Sequence, residues 1–268
     1  MPVQVVGDGV TISFDDCGSG RTVVFLHGVM MSRQFFKHQL PYFSKYYRTL
    51  AIDFRGHGDS DKTLSGHTVS TYAQDLRALF DKCQVEQPVL VGWSMGAMVI
   101  FEYLKSFGQD DIAGIVIVDQ PPSDFVWPGY EFGVFTLDWL IHSVEGLQTE
   151  QRKLVQGFVN LMLHQPEKSV VDWMVSDIMK VPPAIAVSIL VTQTFRDYRE
   201  FFSSIKVPTM VIFGGDDKLT SPRAGEFIAA RIPQARLQIF EQSSHCPFYE
   251  EPERFNRVVH EFVSSLGN

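Results

Sequence analysis

The chain has 268 residues, 45% of them apolar and 20% charged, proportions of an ordinary globular protein able to bury a large core. Its 23 basic and 31 acidic residues leave a net charge of −8, which argues against a nucleic-acid partner, since phosphate backbones call for a basic face. Met1-Pro2-Val3-Gln4-Val5-Val6-Gly7-Asp8 lacks the basic-then-apolar layout of a signal peptide, and no stretch reaches the about 18 apolar residues of a membrane span, so no membrane association is expected. Cys17, Cys83 and Cys246 are odd in number and far apart, which gives neither a disulfide framework nor a zinc site; a reducing cytoplasm is the expected compartment.

In chain order, short β-branched runs alternate with longer helical patterns. Strands are expected at 11–14, 22–26, 48–52, 88–91, 112–118, 207–213 and 236–240. Runs such as Val23-Val24-Phe25-Leu26 and Ile115-Val116-Ile117-Val118 are apolar throughout, as in parallel strands covered on both faces. Helical patterns fall at 35–43, 69–83, 95–107, 223–232 and 252–265, the last opened by Glu251-Pro252-Glu253, a proline and acids suited to a first turn. Such alternation predicts an α/β sheet with right-handed crossovers. The rhythm breaks between 123 and 204, where no strand is predicted and Leu154, Val155, Phe158 and Met162 recur at helical spacing. That segment reads as a helical cap over the C-terminal strand ends, the edge at which open α/β sheets bind ligands. The core is expected to comprise 1–122 and 205–268, forming a single structural domain with the cap. Phe125, Trp127, Tyr130, Phe132, Phe135, Trp139, Phe158, Trp173 and Met174 mostly suit packing of cap on sheet, with two or three lining an apolar pocket.

The chemistry concentrates in Gly92-Trp93-Ser94-Met95-Gly96, set between the apolar Val89-Leu90-Val91 and a helical run. Gly-x-Ser-x-Gly between strand and helix is the pattern of a nucleophile elbow, in which a strained turn exposes the serine hydroxyl. A serine becomes a nucleophile only when an imidazole takes its proton and a carboxylate fixes that imidazole. Both follow in the order serine, acid, histidine: Gly214-Gly215-Asp216-Asp217 comes after one strand and Ser243-Ser244-His245-Cys246 after the last. The amides of Met95 and of Val29, in His27-Gly28-Val29, would supply two donors to an oxyanion.

His27-Gly28-Val29, Asp53-Phe54-Arg55-Gly56-His57-Gly58-Asp59-Ser60, Gly92-Trp93-Ser94-Met95-Gly96, Gly214-Gly215-Asp216-Asp217 and His245 with Glu250-Glu251-Pro252-Glu253 together resemble an α/β-hydrolase-fold serine hydrolase. The resemblance spans nearly the whole chain and implies a mostly parallel eight-stranded sheet flanked by helices, with a helical cap insertion. Carried over by position, Ser94 is the nucleophile, His245 the base and Asp217 the acid, with Val29 and Met95 as oxyanion donors. The family spacing, three residues after the strand-end glycine, selects Asp217 over Asp216. Asp119, which some relatives use as the acid, is assigned to hydrogen bonding within its loop. His27 is expected to order the oxyanion loop and His57 to shape a turn; His38, His67, His142, His164 and His260 are taken as surface or cap residues. No metal or cofactor is expected. The resemblance implies hydrolysis of a carboxylic ester of a small or medium apolar acid; a lactone, perhydrolysis as in haloperoxidase-like esterases, or C–C bond cleavage would use the same triad. A non-catalytic binding protein on this fold is the contrasting class. Serine at 94 argues against dehalogenase and epoxide hydrolase branches, which place aspartate there, and Ser244 stands where the family commonly has glycine. The expected partner is a small-molecule ester or lactone; oligomeric state is left open.

Overall fold

The expected strands form where β-branched and apolar residues run together. The computed structural model describes residues 2–267. Its strands are β1 (Val3–Val5), β2 (Thr11–Cys17), β3 (Thr22–Leu26), β4 (Arg48–Ile52), β5 (Val89–Trp93), β6 (Gly114–Val118), β7 (Thr209–Gly214) and β8 (Ala235–Phe240). They make one eight-stranded sheet in the order β1-β2-β4-β3-β5-β6-β7-β8. The β1–β2 and β2–β4 pairs are antiparallel and the other five are parallel. β3, β5 and β6 are buried along their whole length, as their unbroken apolar sequences require.

The helices are α1 (Leu40–Phe43), α2 (Val69–Cys83), α3 (Met95–Phe107), α4 (Leu137–Thr149), α5 (Gln151–Met162), α6 (Lys168–Ile178), α7 (Pro183–Thr194), α8 (Pro222–Ala229), α9 (Pro247–Glu250) and α10 (Pro252–Ser265). Residues 69–83, 95–107 and 252–265 are helical as expected. The expected helix at 35–43 is instead a 3-10 turn (Arg33–Phe36) followed by α1, because Pro41 cannot donate to a preceding carbonyl and so serves only to start a helix. β1 escapes a pattern search: it has three residues, and Val3 and Val5 both face solvent on the sheet edge. Helix α8 stops at Ala229 rather than 232.

Between β6 and β7 the chain leaves the sheet and builds α4 to α7. Among the described residues no single helix is long and apolar enough to cross a membrane; α6 and α7 reach that composition only together and are bent by 94° at their break. Their apolar residues, including Met174, Ile178, Ile185 and Ile189, are buried inside the protein.

The motif after β4 secures the loop edge. Arg33 is buried against Asp53, Asp15 and Asp59. Asp53 also accepts the amides of Arg33 and Asp59, at 2.7 and 2.8 Å. A Cβ on Gly58 would lie 2.2 Å from the Asp53 carboxyl carbon, so only glycine permits this wrap. Arg55 closes the motif with a two-pronged pair to Asp75, both bonds 2.6 Å.

Candidate active site

Ser94 sits between β5 and α3 at φ 52°, ψ −125°, in the left-handed half of backbone space where a non-glycine residue is strained. Its amide donates to Val118 O across the sheet at 2.9 Å, which pins the turn. A Cβ on Gly96 would lie 2.1 Å from Leu26 O, and one on Gly92 would lie 2.6 Å from Ala97 N. The glycines therefore permit the tight packing of strand, turn and helix. Val29 follows β3 on the same edge and lines the same cavity as Ser94. Met95 opens α3, where a helical amide has no acceptor in a preceding turn.

His27 holds the Val29 loop. Phe54 N–H donates to its Nε2 at 3.1 Å, so the proton sits on Nδ1, which donates to Gly28 O at 2.8 Å. Burial, aided by the Arg33 and Lys62 charges, holds its pKa down to about 3, which keeps the ring neutral and this tautomer fixed. His57 is likewise buried, bonded through Nδ1 to Arg55 O, and depressed chiefly by burial. His67 lies neither on the surface nor in the helical insertion: it is buried between Thr63 and Tyr72.

Asp217 follows β7 and His245 follows β8, and the structure brings them together: His245 Nδ1 is 3.3 Å from Asp217 Oδ2. Asp217 Oδ1 accepts Leu219 N at 2.8 Å, and Thr220 Oγ1 reaches Oδ2. Asp216 points elsewhere, to His164 Nδ1 at 2.7 Å on the half-exposed side. The loop carrying His245 is tied to the end of α5, with His245 N donating to Met162 O at 3.0 Å and Ser244 Oγ to Leu161 O at 2.9 Å. Trp93 Nε1 donates to His245 O at 2.8 Å, linking the elbow strand to the same loop. Cys246 is fully buried, so its thiol is shielded from oxidants.

A second carboxylate completes the group. Asp119, directly after β6, does not bond within its own loop as expected but reaches the end of β7 and the loop beyond it, accepting Gly214 N at 2.8 Å and Thr220 Oγ1 at 2.6 Å. It also lies 3.4 Å from His245 Nδ1, so the position that the resemblance gave as an alternative for the acid stands beside the histidine together with Asp217. Burial first, and the Asp217 charge second, push Asp119 far above the carboxylate range. Burial would lift Asp217 too, but the His245 charge and the bonds from His245, Asp119 and Thr220 pull it below its ordinary range. For His245, burial works against the charged form and is outweighed by Asp217 and Asp119, so its pKa rises. Asp119, Asp217 and His245 are also the one set among the described residues near enough to share a metal ion. Their facing atoms are already bonded to one another, to Thr220 and to Gly214.

Ser94 and His245 both open onto a cavity of about 420 Å³ between the sheet edge and the helical insertion. Among the described residues His245 is bonded through Nδ1 to Asp217, and no hydrogen bond joins its side chain to that of Ser94. Phe135, Trp139 and Phe158, three of the nine aromatic and Met positions expected to pack or to line a pocket, wall the cavity with Leu147 and Leu190. Trp173 instead stacks on Tyr249, with centroids 5.8 Å apart, and Met174 is buried in the core.

The sequence model of a family described as alpha/beta hydrolase fold matches residues 21–252. The non-heme chloroperoxidase CPO-A1 of Kitasatospora aureofaciens is 27% identical over 286 residues, with 98% of this chain and 100% of that protein covered. A solved esterase from Exiguobacterium antarcticum shares the fold with a TM-score of 0.94 at 24% identity, covering 98% of each chain. A second esterase, from Rhodococcus sp., superposes with a TM-score of 0.87 at 28% identity over 100% of both chains.

Proposed function

The chain belongs to the alpha/beta hydrolase fold family, and from that membership we propose that it is a serine hydrolase cleaving carboxylic esters of small or medium apolar acids through an acyl-Ser94 intermediate. The observation that carries this reading is the strained Ser94 at a cavity shared with His245, whose Nδ1 is bonded to Asp217. In this reading Asp217 fixes His245 with its proton on Nδ1, leaving Nε2 as the base. Nε2 takes the Ser94 proton as Oγ attacks the ester carbonyl. The oxyanion that forms accepts the amides of Val29 and Met95. Collapse expels the alcohol, which leaves with the proton from Nε2. Water then attacks the acyl-serine, again giving its proton to Nε2, and Ser94 is restored as the acid departs.

Residues 123–204 act in this reading as a cap, whose aromatic and aliphatic wall selects the acyl group by size and apolarity. The chloroperoxidase relative favours a second reading, perhydrolysis, in which hydrogen peroxide replaces water in the deacylation step. The test is a panel of p-nitrophenyl esters of graded chain length, with lactones and a peroxide arm, run on wild type and Ser94→Ala. The reading expects Ser94→Ala to lose turnover of every ester; wild-type rates in that variant would overturn it.

A further inference from the structure

The cavity wall carries a polar cluster that the ester chemistry does not use. Asp124 is 3% exposed, yet it lines the cavity together with Gln120 and Gln193, which are 1% and 2% exposed. Its main-chain oxygen accepts Val134 N and Phe135 N, at 2.7 and 2.8 Å, and so holds the loop in place. Its side chain accepts Gln120 Nε2 at 2.7 Å on one oxygen and Gln193 Nε2 at 2.9 Å on the other. A carboxylate has about four acceptor sites, so two bonds leave capacity on both oxygens. No Lys or Arg pairs with it among the described residues.

The two glutamines are oriented by these bonds. Gln120 spends its amide nitrogen on Asp124 and on Pro121 O, at 2.8 Å. Gln193 turns its nitrogen to Asp124, and its carbonyl Oε1 is buried without a partner. A flipped Gln193 would set its oxygen against the carboxylate, so the bond to Asp124 fixes which atom is left over. The wall thus concentrates acceptors: the carboxylate and the unpaired Gln193 carbonyl. Burial lifts Asp124 to about 6, against the bonds from both glutamines and the His245 charge, so it is mostly ionised at neutral pH. An alkyl group seated there would offer these acceptors no donor. A carboxylate would meet them with like charge.

We propose that Gln120, Asp124 and Gln193 form a subsite for a hydrogen-bond-donating group on the substrate, an ammonium before a hydroxyl. It deepens the esterase reading by naming the acids or alcohols the cavity selects, those with an amine or hydroxyl on an otherwise apolar chain. The subsite itself needs no turnover, and the test is therefore an equilibrium one. Binding of n-alkylammonium ions from butyl to octyl is measured by titration calorimetry on wild-type protein, beside alkanols and alkanoates of equal length. At the chain length that fits, the ammonium is expected to bind at least about tenfold more tightly than the alkanol, and the alkanoate more weakly than either. Asp124→Asn should shrink the ammonium-to-alkanol ratio to within about threefold, and Gln193→Met should reduce it while keeping the carboxylate. If Asp124→Asn does not fold, Gln193→Met alone decides. Equal binding of ammonium and alkanol across the series overturns the proposal. So does a preference that survives in the variants, which would trace to the overall charge of −8. Failure of ester turnover with the ammonium preference intact would remove the esterase reading and leave the subsite standing.

Discussion

Replacing Asp217 with Asn should harm this site less than removal of a lone triad acid, because Asp119 stands beside the same imidazole nitrogen. His245 Nδ1 is 3.3 Å from Asp217 and 3.4 Å from Asp119. At an effective dielectric near 20, a charge at either distance attracts the imidazolium by about 5 kcal/mol. Both carboxylates do not ionise together, since burial and the Asp217 charge keep the proton on Asp119. In Asp217→Asn that repulsion is gone while the His245 charge remains, which favours Asp119 as the anion, and Thr220 Oγ1, 2.6 Å away, is released to donate to it. What is lost is the hydrogen bond from Nδ1 to Asp217, a charge-assisted bond of about 1.5–3 kcal/mol, or about 10- to 100-fold in rate. Asp119→Asn alone should cost less than that, and the double variant about 10⁴-fold, as when an imidazole has no carboxylate at all. The assay is kcat/KM on p-nitrophenyl butyrate for wild type, both singles and the double. A 10⁴-fold loss in Asp217→Asn, with Asp119→Asn at wild-type rate, would show that Asp119 gives His245 no support.

The elbow makes a stability prediction. Gly96→Ala would drive a methyl to 2.1 Å from Leu26 O and should cost on the order of 3 kcal/mol, seen as a fall of roughly 6–12 °C in Tm. Gly157→Ala, in α5 with nothing within 4 Å of the new Cβ, should instead gain about 0.5–1 kcal/mol by calorimetry; equal effects from the two would contradict the packing argument. In the pH profile, His245 must be neutral to act as a base. Its raised pKa puts the acid limb of kcat/KM above pH 6.5, with activity rising as the imidazole loses its proton. Asp119→Asn should move that limb down; a wild-type limb below 6.5 would show that the carboxylates do not act on His245 as described.

Much of the fold could be read from local pattern. β3 and β4, with α2, α3 and α10, lie at their expected bounds because apolar runs, helical periodicity and Pro252 at a helix start are local signals. Where Pro41 divided one helical pattern into two short pieces, periodicity alone misled. The candidate residues Ser94, Asp217 and His245 stood in recognisable turns after strands. Asp119 also follows a strand and sits where some relatives place the acid, but that it shares His245 with Asp217 depends on β6 and β7 being neighbours, which only the sheet order reveals. Asp124 and Gln193 carried no signal. They meet because the loop after β6 folds under α7, and a buried carboxylate facing two carboxamides has no sequence period.

Whether Ser94 is an activated nucleophile is read from intact-mass and peptide-mass analysis after treatment with a fluorophosphonate. One adduct per chain is expected, placed on the peptide holding Ser94, absent from Ser94→Ala and strongly slowed in His245→Ala. A wild-type chain that stays unlabelled, or one labelled at another residue, would contradict the assignment of Ser94 as nucleophile.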